Sequence, residues 1–257
     1  MDHASLTTLE SMNQAMWYNR WTLGKFSKYV SGDILEIGCG IGNFTSALTA
    51  YGRVWAFDPD HHAVAQTQKR VKKGAFVGPG DIQEGKYFFK NKRFASIISL
   101  NVLEHIQDDQ RALANMQSLL LPGGFLILLV PIHASLFGTI DAAIGHYRRY
   151  SPNNLITNVK RHGFQIVSQR KLNLFGAIGW FITGKIFKRT SVNRNYIRLF
   201  NLFSPVLLPL EDFITPPFGT SLLLIAQKPS NAQTPSPARV TEAPTRTLTG
   251  KNRNTTR

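Results

Sequence analysis

The chain has 257 residues, 43% of them hydrophobic, with one cysteine and a formal charge of +15. That length and composition suit one good-sized α/β domain and exclude a mostly disordered or collagen-like chain. The single cysteine, Cys39, excludes an intramolecular disulfide and a multi-cysteine metal site, so a reducing compartment is the simpler expectation.

The N-terminal stretch "MDHASLTTLESMNQAMWYNR" carries an early acid and no apolar core, so it does not read as a secretory signal. Residues 1–30 are expected to form a helical N-terminal segment. Beyond them short apolar runs alternate with helical patterns. The runs "ILEIG" (34–38), "VWAFD" (54–58), "FASIISL" (94–100) and "FLILLVP" (125–131) have the length and β-branched content of buried parallel strands. Weaker strands are expected at "AFVGP" (75–79) and "FQIVSQ" (164–169), and a strong late one at "SLLLIAQK" (221–228). Helical stretches fall near 43–51, 60–72 and 108–120, the last opened by the capping pair Asp108–Asp109. This alternation predicts a doubly wound, Rossmann-like parallel sheet of seven strands, six of them within residues 31–171 and the last within 216–228. Ligands of such sheets bind outside the carboxyl ends of the strands.

Residues 172–215 interrupt the pattern. Their apolar pieces, 174–184 and 199–210, are too short to span a bilayer and are bordered by Lys185, Lys188, Arg189, Arg194 and Arg198. With Trp180 and Phe181 among them, they read either as a helical lid or as a membrane-facing insertion. Residues 142–210 hold 11 Lys and Arg and no acid, whereas residues 1–141 are nearly balanced, 13 against 12. A one-sign segment implies an anionic partner, with a membrane surface, a phosphorylated lipid and nucleic acid as the choices. The tail from about residue 229 to 257, rich in Pro, Thr, Asn and Arg, reads as disordered.

In "LEIGCGIGNF" three glycines, Gly38, Gly40 and Gly42, follow a strand and open a helix, with the acid Glu36 just before them. A dinucleotide loop reads G-x-G-x-x-G and welcomes a pyrophosphate, which Glu36 would repel. A ligand with an ammonium, a sulfonium and no phosphate fits better. Here the chain resembles the class I S-adenosylmethionine-dependent methyltransferases over about residues 30–170, and within them a bacterial subgroup with a D-x-x-x-G-H-Y-R-R-Y segment after the fifth strand. The resemblance implies S-adenosylmethionine as cofactor and a methyltransferase activity. It implies cofactor contacts at Glu36, Gly38, Cys39, Gly40 and Gly42, and at Asp58 and Pro59, with Asp58 taking both ribose hydroxyls. It further implies Asp81 and Ile82 at the adenine, and Asn101 and Leu103 of "NVLEHI" on the methionine side. The "PPFGTS" run (216–221) fits the subgroup's pattern before its last strand.

The segment "DAAIGHYRRYSP" (141–152) follows the fifth strand and concentrates chemistry at the cofactor edge. His146, His105 and Asp141 are the candidate catalytic residues, each able to take a proton from an oxygen acceptor. Tyr147, Arg148, Arg149 and Tyr150 are the candidate substrate-binding residues, the arginines suiting a carboxylate or phosphate. His61, His62 and His133 show no metal spacing with carboxylates, and no metal site is expected. The expected reaction is methyl transfer to a small-molecule, lipid-linked, isoprenoid or glycan-like acceptor, with oxygen favoured. Alternatives are a nucleic-acid methyltransferase, an N-methyltransferase of an amine or phospholipid, and a non-catalytic S-adenosylmethionine-binding module. The expected location is cytoplasmic, with peripheral contact at the inner face of the membrane through 172–210. Nucleic acid is the weaker partner, since "NVLEHI" stands where base-amine enzymes carry an N-P-P-Y-type box.

Overall fold

A computed structural model of the chain describes residues 15–71, 73–174, 194–213 and 218–230. One mixed sheet organises it. β1 (Gly32–Ile37) lies in parallel between β2 (Gly52–Asp58) and β5 (Phe94–Leu100). β3 (Ala75–Asp81) extends the sheet in parallel beyond β2, and β4 (Lys86–Tyr87) closes that edge as an antiparallel partner. On the other side β6 (Leu120–Pro131) runs parallel to β5, and β8 (Ser221–Gln227) inserts antiparallel between β6 and β7 (Gln165–Leu172). The strand order is β4-β3-β2-β1-β5-β6-β8-β7.

The connection direction reverses between β1 and β5, so a crevice opens at the carboxyl ends of these two strands. Side chains alternate across the sheet into two cores. Leu35, Ile37, Leu126, Leu128 and Val130 pack on one face; Ile34, Ile127 and Leu129 pack on the other. Burial on both faces is what lets these strands read as continuous apolar runs.

The sheet has eight strands where the sequence reading gives seven. The extra strand is the two-residue β4, too short to leave a periodic signal. It forms because Asp81 closes the turn that leads to it, its Oδ1 accepting from the Gln83 and Glu84 amides. Tyr87 then stacks on Phe89, 5.2 Å between ring centres.

The helices are α1 (Met16–Phe26), α2 (Thr45–Leu48), α3 (His61–Arg70), α4 (Asp109–Leu119), α5 (Thr139–Ala143), α6 (Pro152–Arg161) and α7 (Arg194–Phe213). Asp60 caps α3 by accepting from His62 and Ala63 N–H, and Asp108 caps α4 by accepting from Arg111 N–H. The helix expected over 43–51 is reduced to the single turn α2. Thr45 and Thr49 lie at its ends, and the Thr49 hydroxyl turns back to the Ser46 carbonyl. α7 docks on α1 through an ion pair of Lys25 with Asp212 and a small cluster of Ala15, Tyr18 and Leu208. Arg170 of β7 joins Asp212 at 3.0 Å. Among the described residues no helix is long and apolar enough to cross a membrane. Trp180, Phe181, Lys185, Lys188 and Arg189, and the tail from residue 231, lie outside the described residues.

Candidate active site

The glycine loop sits at the carboxyl end of β1. Gly38 (φ +70°) and Gly42 (φ +84°) occupy left-handed conformations. A β-carbon on Gly38 would come within 2.4 Å of the Val102 side chain, so the loop is packed tightly on the turn after β5. The loop amides are already committed. Gly38 and Cys39 N–H donate to the Phe57 carbonyl at 2.8 and 3.0 Å. Gly42 N–H donates to the Cys39 carbonyl at 2.9 Å, and Gly40 N–H donates to Asp58 Oδ2 at 2.9 Å. A phosphate cradle needs such amides aimed at the anion, and these four are aimed inward. α3 braces the loop from behind, the Thr67 hydroxyl donating to the Gly40 carbonyl and Arg70 to the Ile41 carbonyl.

Glu36 is buried beneath this loop, and its Oε2 has no hydrogen-bond partner among the described residues. Burial pushes its carboxyl up to about 8; the nearby Thr45 hydroxyl opposes this without closing a good hydrogen bond, and Asp58 adds to it. A buried carboxyl without a partner is costly. A cationic ligand would relieve that cost, so the residues present fit an ammonium-bearing cofactor. Asp58, buried at the end of β2, is likewise raised by desolvation, against the pull of the Asp60 and Gly40 amides. Each of its oxygens accepts one backbone N–H and retains a second lone pair. Cys39 is buried in the turn, and desolvation holds its thiol in the protonated form. Pro59 is exposed at the rim.

Ile82 and Leu103 are buried along the crevice, and Asp81 is partly exposed beside Ile82. Asn101, exposed with φ +54°, reverses the chain just after β5. Asparagine tolerates that conformation better than most residues.

A second cluster forms where the 141–150 segment returns over the end of β5. The Asp141 side chain is fully buried; its Oδ1 lies 2.8 Å from His146 Nδ1 and accepts from Arg149 Nε at 2.8 Å, while Oδ2 accepts the Gly138 amide. Burial alone would raise its acid, but the His146 hydrogen bond and the Arg149 charge outweigh it and hold Asp141 below the ordinary carboxylate value. With Nδ1 engaged, His146 presents Nε2, 3.8 Å from Glu104 Oε1. The His105 ring stands edge-to-face with His146, centres 4.6 Å apart. Glu104 is fully buried, neither of its oxygens closing a hydrogen bond among the described residues. Burial pushes its acid up to about 8, against its own backbone amide and Arg149.

The four residues expected to bind substrate separate into two kinds. Arg149 and Tyr150 turn inward and are buried, where the sequence reading set them against the substrate. Arg149 spends its guanidinium on Asp141 and on the Ile132 carbonyl, and the Tyr150 hydroxyl donates to Asp109 Oδ2 at 2.9 Å. Arg148 is half-exposed, paired with Asp109 at 2.9 Å and donating to the Gln107 carbonyl. Tyr147 is the exposed member, 57% accessible.

A family model describing a methyltransferase domain matches residues 7–169. The chain belongs to the methyltransferase-domain family. The inward-facing amides and the unpartnered Glu36 Oε2 fit a cationic, phosphate-free methyl donor. An uncharacterized methyltransferase of Bacillus cytotoxicus is 29% identical over 99 residues, 37% of this chain and 45% of that protein, so the match spans less than half of that relative. Among solved structures, the N-methyltransferase NodS of Bradyrhizobium japonicum, complexed with S-adenosyl-L-homocysteine, superposes with a TM-score of 0.54 at 17% identity. That match covers 83% of this chain and 86% of NodS. An S-adenosylmethionine-dependent methyltransferase of Mesorhizobium loti superposes at 0.57 with 15% identity, covering 80% and 95%. Identities this low show a shared methyltransferase fold.

Sequence reasoning missed three things at this site. Glu104 joins His105 and His146 across some forty residues of chain, which no local motif reveals. Asp109, read there as a capping residue of α4, ties down Arg148 and Tyr150 instead. Val102 sets the fit of the glycine loop.

Proposed function

We propose that this methyltransferase transfers the methyl group of S-adenosylmethionine to an oxygen of a small lipid-linked, isoprenoid or glycan-like acceptor. The observation that carries the choice of oxygen is the Asp141–His146 pair facing Glu104 beside the cofactor crevice. An amine needs only to arrive deprotonated. A hydroxyl must lose a proton as it attacks, and an imidazole held by a carboxylate is suited to take it.

Bound S-adenosylmethionine supplies an electrophilic methyl on a sulfonium. In this reading Glu36 receives the ammonium and Asp58 the ribose hydroxyls. Asp81 and Ile82 meet the adenine, while Asn101 and Leu103 border the methionine side. Gly38, Cys39, Gly40, Gly42 and Pro59 shape the bed. In the metal-free protein His146 Nε2 removes the acceptor proton. Asp141 holds that ring in one tautomer, and Arg149 neutralises Asp141 from behind. Arg149 is therefore a positioning residue. Tyr147 and the half-exposed Arg148 face the acceptor. The enzyme's main contribution is alignment in a partly desolvated crevice.

Two features support a lipidic acceptor met at a membrane surface on the cytoplasmic side. Residues 142–210 carry eleven bases and no acid. Leu202, Phe203, Val206, Leu210 and Phe213 of α7 are solvent-exposed at helical spacing. The test is incubation of purified protein and methyl-labelled S-adenosylmethionine with separate lipid, glycan, RNA and protein extracts. Label in the lipid or glycan fraction, in an ether or ester and lost in His146→Ala with cofactor affinity retained, supports the reading. Label in RNA, in protein or on an amine refutes it.

A further inference from the structure

The base role given to His146 leaves Glu104 and His105 without a task, yet the fold brings all three together. One donor atom from each of Glu104, His105 and His146 lies within 4.8 Å of the others. Glu104 contributes a fully buried carboxylate whose oxygens have no hydrogen-bond partner among the described residues. His146 contributes Nε2, because Nδ1 is bonded to Asp141. A metal-bound histidine almost always donates its other ring N–H to a carboxylate, a backbone carbonyl or a water, which fixes the ring and makes it a better ligand. The Asp141–His146–Glu104 line has that form, and Arg149 offsets the charge of Asp141.

We propose that Glu104, His105 and His146 form a binding site for one divalent transition-metal cation, with Zn2+ the best match. Two imidazoles and one carboxylate are the donor set of open, three-ligand sites for zinc and its neighbours. A tetrahedral cation about 2.1 Å from each donor holds the donors about 3.4 Å apart. The 3.8 Å between His146 Nε2 and Glu104 Oε1 is close to that, and a donor atom of the exposed His105 lies within 4.8 Å of one from each of these residues. Val102, two residues before Glu104, packs on Gly38, so the cluster adjoins the glycine loop. An acceptor hydroxyl coordinated there would become acidic enough to release its proton to solvent water. This role of the cation rests on the oxygen-methylation reading above; the binding site itself does not.

The test is isothermal titration of chelator-treated full-length protein with Zn2+, and with Mn2+ in parallel. S-adenosyl-L-homocysteine is titrated into the same samples. The expected result is one Zn2+ per chain, weakened at least 30-fold in His146→Ala and in Glu104→Gln and at least 10-fold in His105→Ala. His105 is exposed, so its replacement leaves the fold intact if the buried Glu104 variant does not. No Zn2+ or Mn2+ binding by the wild type, or binding unmoved by all three substitutions, overturns the proposal. Metal binding without homocysteine-ligand binding keeps the metal site and removes the methyl-transfer reading. Homocysteine-ligand binding without metal does the reverse.

Discussion

Replacing Glu36 by glutamine should make the ligand-free protein more stable while it loses its cofactor. Glu36 is buried, with Oε2 unpartnered among the described residues, and its carboxyl is raised from 4.5 to about 8. The unfolded chain releases this proton near pH 4.5, whereas the folded chain keeps it until about 8. Between those values the folded state binds more protons than the unfolded one, so stability falls as pH rises, by about 1.4 kcal/mol per unit, and levels off above 8. At pH 7 the penalty is about 3 kcal/mol. Glutamine has the shape of the protonated acid and no charge to desolvate, so Glu36→Gln recovers that amount. Denaturant unfolding of both proteins from pH 5 to 8.5 reads the difference. It should be about 1 kcal/mol at pH 5 and about 3 kcal/mol at pH 7. Glu104 contributes a similar slope to both proteins and cancels in the difference. In the same samples S-adenosylmethionine affinity should fall by at least tenfold. A variant less stable than wild type at pH 7, or a difference independent of pH, would refute the reasoning.

Gly38→Ala forces a side chain onto a φ of +70° and a β-carbon to 2.4 Å from Val102. Unfolding experiments should show a loss of about 2–3 kcal/mol, and Val102→Ala should return the steric part but not the roughly 1 kcal/mol of backbone strain. Asp58→Ala removes the acceptor that pins Gly40 N–H, and cofactor affinity measured by titration should drop by about 1.5–3 kcal/mol. Arg149→Met leaves Asp141 buried without its cation, at a cost of about 3–5 kcal/mol in denaturant unfolding. Tyr150→Phe loses the hydrogen bonds to Asp109 and the Leu103 carbonyl and should cost about 1–2 kcal/mol, with cofactor affinity unchanged.

β1, β2, β5, β6 and β8 were legible because they are largely buried and read as apolar runs, whereas the more exposed β3 and β7 left only weak runs. The glycine loop was legible because left-handed turns at Gly38 and Gly42 demand glycine, and Glu36 carries its meaning in its charge. Side-chain direction in the 141–150 segment was not. Arginine and tyrosine suit a surface and a buried ion pair equally well in composition, and only the return of this segment over β5 turns Arg149 toward Asp141 and Tyr150 toward Asp109. The same return creates the Glu104–His105–His146 group. Its members gain chemical meaning only through a tertiary contact, so histidine spacing along the chain does not reveal it.

The central claim is that a glycine loop with inward-facing amides over a buried acid takes a cationic, phosphate-free ligand. It is tested most directly by calorimetric titration of the full chain with S-adenosylmethionine, S-adenosyl-L-homocysteine and NAD+ at pH 7.5. The account predicts one site for each of the first two, weakened at least tenfold by Glu36→Gln, and no NAD+ binding. Binding of NAD+ with neither sulfur ligand bound, or sulfur-ligand affinity unmoved by Glu36→Gln, would contradict it.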